Sequence, residues 1–475
     1  MKKIFLALIV LLAFVLRLYR IDAPLADWHS WRQADTSAVS RNFVKMGFDL
    51  LRPRFDDISN APSKMENPQG YRFVEFPIYN AIQAALAKTF SVFNLEVWGR
   101  LTSILFSLGS LIFLYLIVEK YLGINIALLA SFFFAVLPFN IYYSRTILPE
   151  AMMLFASLGM IYFFSVYLDN LSPAYCLLST LFAALSFLLK PFTLVLLLPI
   201  AYLGWVKWRF NKLNWLTFFL SCSLALLPFL FWRWWMGHFP EGIPQSAWLF
   251  NEGGIRFKGA WFYWLFAERV GKLILGYWGL ILFGLGLIVK PTKKEGLFFL
   301  SWLGAILVYF IIIAGGNVQH DYYQVLAIPI ICIFLAKGGG FLLSAPKLFF
   351  NRFLCCLLFV VCCLFMLAFS WYYVRDFFNI NNPVIVEVGK VVDKLVPKDT
   401  KIIAPYGGDT AFLYQTNRRG WPIGVEIEKM ASLGAQYYVN INFGPETDWI
   451  ERNYCVIQKT SKWIIADLTR KCEYK

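Results

Sequence analysis

Long apolar stretches recur along this chain, and they limit its fold more than any other feature. They fall at residues 4–19, 97–118, 122–141, 148–168, 173–189, 191–206, 214–232, 272–289, 295–314, 324–343 and 351–373. A run of about 18 or more apolar residues can cross a bilayer as a helix. Backbone in hydrocarbon must satisfy its own hydrogen bonds, so such runs predict helices and not open sheet. The chain is 59% hydrophobic and only 15% charged, whereas a soluble domain is roughly a quarter charged. The expected fold class is an all-α polytopic membrane protein of about 11 transmembrane helices plus interfacial helices. A small C-terminal α/β domain is expected beside it.

Two stretches are not spans. Residues 20–96 form a long polar first loop, and 375–475 a polar C-terminal domain, leaving 1–374 as the membrane module. Met1 to Tyr19 has basic residues before an apolar run, as a signal peptide has. The run ends in Arg17 and Arg20 with no small-residue cleavage site, so it is read as an uncleaved first span. Within the tail, 384–395 and 425–433 read as helices, and 401–405, 436–441, 453–458 and 463–467 as strands. Residues 407–415 read as a turn and helix, and Asn417 to Trp421 as a turn.

Orientation turns on residues 77–93, which could cross or lie flat. Cytoplasmic loops carry the excess of Lys and Arg. If 77–93 does not cross, one side collects Lys2, Lys3, Lys120, Lys207, Arg209, Lys212, Lys290, Lys293, Lys294, Lys347 and Arg352. If it crosses, that basic set moves outward and the rule is broken. Residues 77–93 are therefore read as an interfacial helix, in which Gln83 and Lys88 need not face lipid. The N-terminus is then cytoplasmic. The first loop and the C-terminal domain are then expected on the outer side of the membrane. The formal net charge of +15 is read as orienting the chain and meeting phosphate groups at the membrane; no nucleic-acid motif accompanies it. Of nine cysteines, seven lie in apolar runs, where they pack as small apolar residues. Cys455 and Cys472 lie in the tail and are able to pair in an oxidising compartment; the sequence leaves that open.

Chemistry concentrates on the outer face. Asp27-Trp28-His29-Ser30-Trp31-Arg32-Gln33-Ala34-Asp35-Thr36 follows soon after the first run, with a helix-like stretch from Thr36 to Lys45. The alternative reading of this segment is an aromatic belt with solvated charges. Glu75 precedes the interfacial helix. Arg145 and Glu150 stand where one span surfaces and the next begins. Lys190 occupies a Leu-Lys-Pro turn, and His320, Asp321, Tyr322 and Tyr323 cap another outer turn. Ionisable groups near hydrocarbon are costly and are functional candidates by default. An acidic side chain among cations suits phosphate-activated group transfer: a carboxylate takes a proton from a hydroxyl or amine, and cations neutralise the departing phosphate. The apolar body would house a lipid tail.

These segments resemble the GT-C polyprenyl-phosphate glycosyltransferases, especially bacterial relatives of protein O-mannosyltransferases and of the aminoarabinose-to-lipid-A transferase. The resemblance lies in the His-Ser-Trp-Arg-Gln-Ala-Asp-Thr run, Tyr-Tyr-Ser-Arg…Pro-Glu, Leu-Lys-Pro, His-Asp-Tyr-Tyr and the tail's Leu-Tyr-Gln-Thr-Asn-Arg-Arg-Gly-Trp. It implies a GT-C-like helical core, a periplasmic active site and a polyprenyl-phosphate sugar donor. It also implies inverting transfer to a lipid, glycan or protein acceptor. Asp35 matches the family's base and Glu150 its second acidic position. Lys190 and Arg145 match phosphate contacts. His29, Trp31, Arg32, Gln33, Glu75, His320, Asp321, Tyr322 and Tyr323 are expected to bind substrate. The chain departs from the pattern at Arg32-Gln33, near where many relatives have adjacent acids, so Asp27 stays a rival base. With three histidines, His29, His238 and His320, and no compact ligand spacing, no metal is expected to be required; a divalent ion is the alternative.

Two other classes compete. A transporter or flippase would show paired halves or charges at mid-membrane depth, whereas the centres of these runs are almost charge-free. A polymerase or ligase of lipid-linked glycans shares the topology and differs in acceptor, and the sequence does not separate it.

Overall fold

The computed structural model describes residues 2–344 and 351–472; Lys347, one of the orienting cations, lies outside them. The chain forms two compact units. One comprises Met1–Ile21, Leu101–Arg233 and Ser246–Asp376; the other comprises Asp22–Arg100, Trp234–Gln245 and Phe377–Lys475.

The first unit is helical. A helix underlies each apolar run of the sequence. Among the described residues six are long and apolar enough to cross a membrane, or seven if the bent pair Gly259–Ile274 and Gly279–Ile288 is one span. Ile124–Val136, Pro173–Leu189 and Phe298–Ile312 are shorter. At 1.5 Å per residue, a helix of 13 to 17 residues measures roughly 20–26 Å, less than the ~30 Å hydrocarbon core.

Two runs read as continuous are broken. The run 122–141 divides into Ile124–Val136 and Pro138–Tyr143, because Pro138 has no N–H to donate. The exposed carbonyls are answered by Asn140, whose Nδ2 donates to the Phe134 carbonyl at 2.6 Å, and by Arg17, which is fully buried. Its guanidinium donates to the carbonyls of Phe134 (3.2 Å), Ala135 (3.1 Å) and Ala13 (2.9 Å) and to Ser144 Oγ (2.6 Å). A buried cation is tolerated where its donors are satisfied in this way. The run 272–289 turns through 110° at Gly276, whose φ of 47° is left-handed. Close packing elsewhere depends on small residues: a Cβ on Gly338 would lie 1.9 Å from the Leu282 carbonyl oxygen.

The second unit holds the first loop and the tail. Helix α1 (Ser30–Met46) begins earlier than the stretch Thr36–Lys45 suggested, so the segment read as a loop forms its first turns. Helix α2 (Ile78–Thr89), 12 residues long, is about 18 Å and too short to cross. Gln83 is buried against α1, accepting from Ser40 Oγ at 2.7 Å and donating to the Leu95 carbonyl at 2.9 Å.

The tail builds a five-stranded sheet: β1 (Lys401–Ile403), β2 (Arg419–Trp421), β3 (Ala435–Asn440), β4 (Cys455–Lys459) and β5 (Ile464–Asp467), in the order β2-β1-β3-β5-β4. β1 is parallel to both neighbours and β5 antiparallel to both of its own. Two readings of the tail are corrected: 417–421, taken as a turn, contains β2, and Pro445–Asn453 is a helix the sequence reading missed. The first loop extends this sheet. Asp57 bridges Gly420 in parallel, and Ile58 enters the core with Ile403, Trp421, Tyr438 and Ile464.

Candidate functional site

In the second unit, His29 adopts a left-handed conformation (φ 54°, ψ 35°) and starts α1. The turn that follows distributes the first-loop side chains. Arg32 meets Glu75 at 2.5 Å and Thr36 Oγ1 at 3.3 Å. Gln33 Nε2 donates to Asp27 Oδ1 at 2.8 Å and to the Trp28 carbonyl at 3.1 Å. Trp28 stacks on Phe377 at 4.9 Å.

Asp35 is 3% exposed. Its Oδ2 lies 2.6 Å from Arg72 and its Oδ1 accepts from Thr410 Oγ1 at 2.7 Å. Thr410 also reaches the Trp31 carbonyl, at 3.2 Å. Of the expected first-loop residues, the structure therefore couples Arg32 to Glu75 and Gln33 to the rival base Asp27, and it brings the Trp31 backbone carbonyl to the Thr410 hydroxyl that serves Asp35.

Beside the Asp35–Arg72 pair stand two further carboxyls that feel the charge of Asp35. Burial pushes the Asp57 carboxyl up to about 7, against the Ser59 N–H that donates to it at 2.8 Å, and the charge of Asp35 adds to the rise. Burial likewise lifts Asp409 to about 6, with Asp35 again contributing, although Asp409 accepts from the Ala411 N–H.

The first unit carries a second set. Pro191 restricts the residue before it to extended geometry, and Lys190 has φ −149° and ψ 105°. This ends one helix and directs Lys190 to Glu150 at 3.1 Å, both buried. Glu150 opens the helix Glu150–Asn170, where the helix dipole favours a carboxylate. Arg145, 1% exposed, donates to the Arg20 carbonyl at 2.8 Å. Asp321 is held by Arg269 at 2.7 Å and by the Tyr143 hydroxyl at 3.2 Å. His320 stacks on Tyr322 at 5.4 Å, and Tyr322 lies 4.8 Å from Tyr323. The Tyr323 carbonyl accepts from the Tyr309 hydroxyl at 3.0 Å.

Sequence reasoning missed Arg72, Thr410 and Arg269. Arg269 had a readable signal, because Glu268-Arg269 interrupts the apolar surroundings just before the run at 272. Arg72 and Thr410 had none, since their partner is 37 and 375 residues away. Among the described residues no three His, Cys, Asp or Glu side chains are grouped to hold a metal ion.

Residues 75–235 match the family model described as dolichyl-phosphate-mannose-protein mannosyltransferase. No curated protein matches the chain in sequence. Among solved structures it is similar to ArnT from Cupriavidus metallidurans bound to undecaprenyl phosphate. The TM-score is 0.68 and the identity 13%, over 98% of this chain and 97% of that one. It is also similar to the Archaeoglobus fulgidus oligosaccharyltransferase, at TM-score 0.60 and 10% identity, over 95% of this chain and 71% of the other. At these TM-scores the likeness is one of fold, a mostly helical body with a small C-terminal sheet. Residues 75–235 thus carry the family match, and the chain as a whole shares the fold of ArnT, with six helices among the described residues long and apolar enough to cross a membrane.

Proposed function

We propose that this protein transfers a sugar, with inversion at the anomeric carbon, from a polyprenyl-phosphate donor to a lipid, glycan or protein acceptor. The acceptor oxygen or nitrogen forms the new bond to the anomeric carbon. The bond from that carbon to the phosphate oxygen breaks, and its electron pair leaves with the lipid phosphate. The acceptor's proton goes to Asp35. Lys190, Arg145 and Arg269 are the cations assigned to the phosphate, where negative charge grows as the bond breaks. Glu150 holds Lys190 in place, and Asp321 with Tyr143 does the same for Arg269. Reaction at the outer face of a bacterial cytoplasmic membrane, with the N-terminus inside, follows from the distribution of basic loops.

Asp35 carries this reading: a buried carboxylate on a first-loop helix, held at both oxygens, in a chain with the GT-C fold. Structural relatives bind lipid phosphates, undecaprenyl phosphate in ArnT and dolichol phosphate in the archaeal oligosaccharyltransferase, which also holds an inhibitory peptide. Mass spectrometry of envelope glycolipids and glycoproteins, with and without the protein, tests the activity. One sugar modification should vanish without it and return with the wild-type chain. Asp35→Asn should insert normally and fail to restore the modification. Restoration by Asp35→Asn would move the base to Asp27 or Glu150.

A further inference from the structure

We infer that Thr410 is a positioning residue for Asp35, and that the tail segment from Thr410 to Gly420 holds the Asp35-bearing helix in its working orientation. The inference rests on Asp35 being the base.

A hydroxyl has one proton to donate. Thr410 Oγ1 is 2.7 Å from Asp35 Oδ1 and 3.2 Å from the Trp31 carbonyl, so the shorter, charge-assisted bond to the carboxylate takes it. Arg72 grips Oδ2 at 2.6 Å. Attachment at both oxygens fixes the plane of the carboxylate. Each oxygen retains a second lone pair, the one a base needs for an incoming proton.

The short helix Thr410–Gln415 is itself tightly held. Asp409 caps its first turn, its side chain accepting from the Ala411 N–H at 2.7 Å. Gly389 of the helix Pro383–Leu395 lies so close behind it that a Cβ there would stand 2.5 Å from the Gln415 carbonyl oxygen.

From this support a row of bonds reaches the first loop. The Tyr414 hydroxyl donates to Glu96 Oε1 (2.5 Å) and lies 2.9 Å from Ser37 Oγ. Arg41 sits over the Tyr414 ring at 3.9 Å and donates to its carbonyl at 3.0 Å. Gln415 donates to the Leu25 carbonyl at 2.9 Å, and Arg419 to that of Gln69 at 2.6 Å. Gly420 N–H donates to the Asp56 carbonyl at 2.9 Å. The Leu-Tyr-Gln-Thr-Asn-Arg-Arg-Gly motif of the tail (413–420) thus clamps α1, and Thr410, just ahead of it on the same short helix, touches the base itself.

The test uses right-side-out membrane vesicles carrying their own donor and acceptor, with the sugar product measured by mass spectrometry across pH. Thr410→Val keeps the shape and removes the donor. It should slow transfer about tenfold. A hydroxyl donated to a carboxylate favours its ionised form, so the acid limb of the rate–pH profile should also rise by about one unit. Thr410→Ser should restore both. Tyr414→Phe loosens the same helix without touching Asp35, and should lower thermal stability while leaving the limb in place. A Thr410→Val protein with the wild-type limb, whether or not its rate falls, overturns the inference while an inactive Asp35→Asn protein upholds the base. Transfer by Asp35→Asn would overturn the base assignment and the inference together.

Discussion

At the residue scale, this protein spends folding stability on buried charge. Asp57 is 1% exposed, and its carboxyl is lifted from an ordinary 3.8 to about 7 by burial. A carboxyl raised on folding contributes stability that is fully present below about pH 4 and is lost as pH climbs through 7. Asp57→Asn keeps an acceptor for the Ser59 N–H and removes that loss. We expect its melting temperature to exceed the wild type's at pH 8, by an amount corresponding to a few kcal/mol, and to match it near pH 4. A gain of equal size at both pH values would mean that Asp57 is not buried as described. The chemical type of the candidate residues was legible in the sequence, since Asp35, Glu150, Lys190 and Asp321 stood out as charges near apolar runs. Their partners were not, because periodicity does not reveal which distant side chain meets them.

At the element scale, apolar runs were readable as helices because hydrophobic length is a local property. Their interruptions were only partly so. A proline break in a membrane helix releases carbonyls that need donors, and here Asn140 beside the break and Arg17 from another helix supply them. The strand β2 was misread for a related reason: Arg-Gly-Trp carries turn residues, and only pairing with β1 makes it extended. Gly420 fits there because a Cβ would lie 1.7 Å from the Ile402 carbonyl oxygen. The pairing left open in the tail is present, Cys455 on β4 being disulfide-bonded to Cys472 with a Cα separation of 4.9 Å. Closing a loop over a sequence separation of 17 residues stabilises by about 3 kcal/mol. Protein unfolded without reductant should alkylate seven thiols, and nine with it. Cys455→Ser should melt earlier by a corresponding margin. Nine reactive thiols without reductant would place the tail in a reducing compartment.

At the scale of the whole molecule, the first loop and the tail belong to one compact unit although nearly 300 residues separate Arg100 from Phe377 in the chain. The inferred orientation puts that unit outside. A cysteine replacing the exposed Ser461 should react with a membrane-impermeant maleimide in intact spheroplasts, above the background of the parent chain. Labelling only after lysis would invert the topology.

The sequence by itself determined that this chain is a bundle of apolar helices with a polar loop and a polar tail, because burial in lipid is demanded residue by residue along a run. It also singled out the acids and cations worth suspecting. Only the tertiary structure decided where helices break, that residues 56–58 lie alongside β2, and that Asp35 is fixed by Arg72 and Thr410. Those outcomes depend on hydrogen-bond partners brought together from distant parts of the chain, and no local pattern encodes them.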